Sequence, residues 1–74
     1  MVLETIRRLA ADRYACDEEA VVLAATFDEL NITDDEKADL AVTLEQLYGV
    51  EVPSEVLGEC ETLEDLVGYI EDRL

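Results

Sequence analysis

The chain has no histidine, no tryptophan, one proline, one phenylalanine, three glycines and two cysteines. Without histidine there is no Ser-His or Cys-His pair to activate a nucleophile, and zinc sites of the usual Cys/His kind are excluded. Cys16 and Cys60 are far apart with no C-x-x-C, so two reduced, partly buried thiols are expected, with a disulfide the lesser alternative. No G-x-x-x-x-G-K or G-x-G-x-x-G phosphate loop is present. The longest apolar run, Ala20 to Ala25, is far too short to span a bilayer. The opening segment MVLETIRRLAADR lacks an apolar core and a cleavage site, so no signal peptide is read there and a cytoplasmic location is expected. An EF-hand frame laid over 31–42 fails, because Glu36 stands where glycine is required and Val42 where the bidentate glutamate belongs. Only a weak, nonspecific affinity of the acidic surface for divalent cations is left to expect. No enzyme is read in this chain.

Positive charge is also scarce. Five bases face 20 acids, a formal net charge of −15. From Tyr14 to Asp72 there are 18 acids and a single base, Lys37. That balance argues against nucleic acid and anionic membrane surfaces as ligands, since both need Lys and Arg. It favours a basic protein partner drawn in by long-range attraction. The plainer alternative is that the charge only keeps the domain soluble.

What is present is enough for one folded domain over 1–74: half of the 74 residues are hydrophobic, too many for a disordered acidic chain. A chain this short buries about 60% of its unfolded surface, so modest stability is expected. The strongest pattern runs from Thr33 to Pro53. Leu40, Ala41, Leu44, Leu47 and Tyr48 fall on one face of a 3.6-residue period. Thr33 and Glu36 form a capping box, and Asp34, Asp35 and Glu36 fill the first turn, where carboxylates suit the positive end of the helix dipole. Gly49 stops this helix and Pro53 forbids its continuation. The downstream segments are expected to pack back on its apolar face.

Val2 to Arg13 is a first helix with Leu3, Ile6, Leu9 and Ala10 on its apolar side, and Arg7, Arg8 and Arg13 hold most of the positive charge. The stretch from Tyr14 to Asn31 reads two ways. Asp17, Glu18 and Glu19 open a short helical turn, or the run AVVLAA is a buried loop with Val22 and Leu23 pointing inward. Phe27 reads as a core anchor for this long connection. Asn31-Ile32-Thr33 matches a glycosylation sequon, which carries no weight without secretion. Ser54 reads as the N-cap of a short turn, SEVLGE, closed by Gly58. Thr62 caps a last helix with Asp65 as its reciprocal partner, and Leu63, Leu66, Val67 and Ile70 repeat at helical spacing. Gly68 costs this helix about 1 kcal/mol relative to alanine, which suggests close packing there. No strand is expected. The fold class is all-α, with three main helices and one short one.

The ordered set Phe27-Asp28-Glu29-Leu30, Asp39-Leu40, Leu44 to Pro53 and Thr62 to Ile70 resembles the acyl carrier protein family over nearly the whole chain. The resemblance implies a four-helix bundle with a short third helix and a long first loop. It implies a carrier of acyl, peptidyl or similar groups as thioesters on a 4′-phosphopantetheine arm, joined to a serine in an Asp-Ser-Leu motif at the start of the second helix. Acidic residues of that helix would dock basic surfaces of carrier-type partner enzymes; here these are Asp34, Asp35, Glu36, Asp39 and Glu45.

One departure stands out. Aligned on Asp39-Leu40 and Glu51-Val52-Pro53, the motif falls on Thr33-Asp34-Asp35, so the attachment position is Asp34. A carboxylate has no hydroxyl to attack the pyrophosphate of coenzyme A, so no prosthetic group is expected on this sequence. Thr33 is a poorer candidate one residue away. Ser54, the one serine, lies past the exit proline. The expectation is therefore a small acidic acyl-carrier-protein-like module, monomeric, that docks basic partners without an arm. The alternative is a working carrier in fatty-acid, polyketide or related biosynthesis, with its arm on Thr33 or a natural serine at position 34. A third reading, outside the family, is an acidic decoy for a basic nucleic-acid-binding site.

Overall fold

A computed structural model of the chain describes residues 2–74. It contains four helices, α1 (Val2–Tyr14), α2 (Asp34–Tyr48), α3 (Ser54–Glu59) and α4 (Leu63–Glu71), and one 3-10 turn, Glu18–Ala20, between α1 and α2. The described residues form no strand; Thr26 and Thr62 make an isolated antiparallel bridge. The fold is the expected helical bundle with a long first connection and a short third helix.

α1 buries Val2, Leu3, Ile6 and Ala10. It ends where Ala15 turns left-handed (φ 56°) and the Cys16 N–H donates back to the Ala10 carbonyl at 3.1 Å. This closure from Cys16 to Ala10 satisfies an end carbonyl, but a left-handed alanine costs about 1–2 kcal/mol. The connection then crosses the bundle. Asp17 caps the 3-10 turn by accepting from the Glu19 N–H, and the Arg7 guanidinium donates twice to the Val21 carbonyl, at 3.2 and 3.1 Å.

The helical-turn reading of this region holds; the inward placement of Val22 and Leu23 does not. They are 45% and 38% exposed, while Val21 and Ala25 are buried. The reason lies at the start of α4, whose Leu63 and Glu64 N–H groups donate to the carbonyls of Ala25 and Leu23, both at 3.0 Å. Using the loop backbone this way turns Val21 and Ala25 toward the core and leaves the residues between them outside. Phe27 is buried as an anchor, and its N–H donates to the Glu61 carbonyl at 3.2 Å.

α2 begins with the expected capping box of Thr33 and Glu36 and ends at Gly49 in the left-handed region (φ 72°). Leu40, Ala41 and Leu44 are buried. Leu47, expected on the same face, is 59% exposed. A straight helix drifts about 20° over seven residues, and at this end Tyr48 takes the inward place, its hydroxyl 2.6 Å from the Thr5 Oγ1.

Two local expectations are corrected downstream. Ser54 is not a cap: Pro53 holds the N-cap position, no side chain caps α3, and Ser54 is its first helical residue. Gly58 does not close α3, which runs to Glu59 and ends as Cys60 donates to the Leu57 carbonyl at 3.1 Å. α4 keeps its capping box of Thr62 and Asp65 and buries Leu63, Leu66, Val67 and Ile70. α3 packs on α2 as expected, whereas α4 packs chiefly on α1. A Cβ built on Gly68 meets nothing within 4 Å, so this glycine does not serve close packing. Among the described residues no helix is long and apolar enough to cross a membrane.

Candidate functional site: the start and outer face of the second helix

Thr33 sets the geometry of the site. Its extended backbone (φ −73°, ψ 167°) turns the chain into α2. Its hydroxyl accepts from the Glu36 N–H at 3.2 Å, and its own N–H donates to Glu36 Oε1 at 3.0 Å. Both side chains are thereby committed to the helix start. Asp34 is the first helical residue and is exposed. It borders an open groove of about 340 Å³ between α2 and α3, shared with Lys37, Ala38, Ser54, Leu57 and Gly58. Ser54 thus lies in space beside Asp34, which the chain separation alone did not suggest.

The five acidic residues of α2 fall into two groups. Asp34, Asp35 and Glu45 are exposed and make no side-chain hydrogen bond or ion pair among the described residues. Val42, 54% exposed, adds an apolar side chain to the outer face of the same helix. Glu36 is held in the capping box, and Asp39 is held from α1. Arg13 Nη1 lies 3.2 Å from Asp39 Oδ2 and donates to Thr43 Oγ1 at 2.7 Å. The Tyr14 hydroxyl lies 2.7 Å from the same Oδ2 and 3.1 Å from the Glu36 carbonyl oxygen, donating toward both. Burial, reinforced by the Asp39 carboxylate, pushes Tyr14 up to about 12, so it stays a neutral donor at any physiological pH.

Lys37, the lone base of the acidic stretch, is turned inward. Its Nζ donates to the Cys60 carbonyl at 2.7 Å and sits 4.8 Å from the centre of the Phe27 ring, tying the start of α2 to the long connection and to the segment before α4. The outer face of α2 therefore keeps its acids with little internal compensation. Neither Arg13 nor Lys37 stood out in the sequence as part of the site, though each is the kind of isolated base that must find a carboxylate or carbonyl nearby.

The thiols are free, Cys60 buried and Cys16 half-buried. Burial pushes both up from their ordinary value, helped by Glu36 near Cys16 and by Asp65 near Cys60, so neither is an activated nucleophile. The aliphatic hydroxyls near the start of α2 are those of Thr33 and Ser54. A phosphopantetheine arm does not fit Asp34, which offers a carboxylate where a phosphodiester needs a hydroxyl.

Residues 4–70 match the family model described as a phosphopantetheine attachment site. The chain is 31% identical over 74 residues to an acyl carrier protein of Thermosynechococcus vestitus, covering 99% of this chain and 91% of that protein. An acyl carrier protein of Phytoplasma australiense is 31% identical over 75 residues, covering 100% of this chain and 99% of its own. One from Tropheryma whipplei is 33% identical over 70 residues, covering 93% and 85%. Acyl carrier proteins are carriers rather than enzymes, which agrees with the absence of catalytic groups read from the residues. With four helices in the expected order and the match running nearly from end to end, the chain belongs to the phosphopantetheine-attachment family of acyl carrier proteins.

Proposed function

We propose that the chain is an acidic docking module of the acyl carrier family, one that engages basic surfaces of carrier-type partner enzymes through the start and outer face of α2 and carries no arm on Asp34. The observation behind this is Asp34 itself: the first residue of α2, exposed, and without a hydroxyl. Along the same helix Asp35 and Glu45 are exposed and uncompensated, and Val42 gives the charged surface an apolar contact. Such docking weakens steeply as salt rises, because it depends on screened charges. A cytoplasmic, monomeric protein suits this role.

A working carrier is the second reading, and the names of the relatives and of the matching family favour it. They speak for the family, whereas the arm-free reading rests on the carboxylate that this chain carries at position 34. The carrier reading puts the arm on Thr33, whose hydroxyl would have to leave the Glu36 N–H, or on a serine at position 34 in a natural form of the sequence.

Intact mass after incubation with coenzyme A and a broad-specificity phosphopantetheinyl transferase separates the two. The native chain is expected to gain nothing and the Asp34→Ser variant to gain one arm. A gain on the native chain would establish a carrier and overturn the arm-free reading. If neither chain gained mass, the docking surface itself would be in doubt.

A further inference from the structure

We infer that Arg13 is an internal competitor for Asp39, occupying the place that an arginine or lysine of a basic partner would take, so that the docking surface is divided into open acids and one masked acid. This deepens the docking reading above and rests on it. The geometry is that of a latch thrown from the end of α1 across to α2. One carboxylate oxygen, Asp39 Oδ2, receives both the Arg13 guanidinium at 3.2 Å and the Tyr14 hydroxyl at 2.7 Å. The same Arg13 nitrogen donates to Thr43 Oγ1 at 2.7 Å, and that hydroxyl donates on to the Asp39 carbonyl at 3.1 Å. A basic side chain approaching Asp39 Oδ2 has to compete with the Arg13 guanidinium and the Tyr14 hydroxyl already there. Asp34, Asp35 and Glu45 carry no such partner.

The latch is weak enough to open. Arg13 and Asp39 are 44% and 56% exposed, and pairs this exposed are strongly screened and add little to folding. A basic partner with enough charge can displace Arg13, and a less basic one is left with the open acids. The latch therefore sets how basic a surface must be before it gains the whole of α2.

The test is a double-mutant cycle read as the affinity of a decalysine peptide at low salt. This probe binds a chain of charge −15 whether or not the family's enzymes do. Arg13→Gln is expected to tighten binding about threefold, the size of one exposed ion pair. Arg8→Gln removes the same charge from an exposed arginine that has no ion pair among the described residues, and should change affinity much less. Asp39→Asn should hardly weaken the native chain but should weaken the Arg13→Gln chain about threefold, while Asp35→Asn weakens both equally. Equal effects of Arg13→Gln and Arg8→Gln, or a loss for Asp39→Asn in the native chain as large as that for Asp35→Asn, would overturn the latch. Binding of the phosphopantetheinyl transferase to the same variants decides the docking reading separately: no binding there, beside an intact cycle on decalysine, sinks the enzyme-docking role and leaves the latch standing. Circular dichroism of each variant checks that the fold is kept.

Discussion

The bundle uses one device twice, and the two uses come to opposite ends. α2 and α4 both start from a threonine whose hydroxyl accepts the N–H three residues on, with an acid at that position reaching back to the cap. At α4 the next residue is Leu63, fully buried, and the free N–H groups of Leu63 and Glu64 are taken by loop carbonyls. At α2 the next residues are Asp34 and Asp35, exposed, and their N–H groups find no partner among the described residues. The same motif closes one helix start into the core and leaves the other facing solvent. A capping box fixes where a helix begins; the residues just inside it decide whether that start is structural or available to a partner.

The position after the cap gives the sharpest contrast. Leu63→Ala removes a fully buried side chain and is expected to cost about 3 kcal/mol, whereas Asp34→Ser, on open surface, should shift stability by less than about 0.5 kcal/mol. Urea unfolding of both variants checks this. Comparable losses would mean that the start of α2 is also a structural keystone, and the docking surface would lose its claim to be free of that duty.

The caps themselves should differ less. Thr62→Ala is expected to cost about 2 kcal/mol, because the start of α4 also holds the long connection, and Thr33→Ala about 1 kcal/mol. A larger loss at Thr33 would reverse the ranking of the two ends.

Much of this was legible from the residues. Thr33, Glu36, Gly49, Thr62 and Asp65 carry their meaning within four residues of themselves, so both capping boxes and the stop of α2 followed from spacing. The four-helix bundle followed from periodicity and from the ordered resemblance. The missing pieces are long-range. Nothing near Ser54 shows that Pro53 takes the cap. Val22 and Leu23 face outward because α4, forty residues on, claims the backbone between them and the core. Leu47 follows the apolar period yet lies where Tyr48 already fills the space. At the site, Asp34 and its missing hydroxyl were plain in the sequence. That Asp39 is held by Arg13 and Tyr14 was not, since the partners are 26 and 25 residues away.

Gly68 offers a way to strengthen one side of the comparison. It lies inside α4 with open space where a Cβ would go, so Gly68→Ala should stabilise the domain by about 1 kcal/mol through helix propensity alone. Thermal unfolding reads it directly, and a destabilised variant would restore the close-packing role that the geometry denies. The gain would leave α2 and its acids untouched, so affinity for a basic partner should not move.

The smallest expected effect separates the two boxes by proton binding. Asp65 Oδ2 accepts two backbone N–H groups, from Glu61 at 3.0 Å and Thr62 at 3.2 Å, whereas Glu36 Oε1 accepts only that of Thr33. These bonds hold the Asp65 carboxyl below its ordinary value. A carboxyl lowered on folding stabilises the native state at pH above its unfolded value, about 3.9. That contribution disappears as pH falls through the lowered one. Asp65→Asn should therefore be less stable than the native chain at neutral pH, and the gap should narrow below about pH 4. Carbon-detected NMR titration of Asp65 gives the independent check. An ordinary midpoint for Asp65, or a gap that stays constant to the lowest pH, would mean that the second N–H contributes nothing. The two helix starts would then differ only in what covers them.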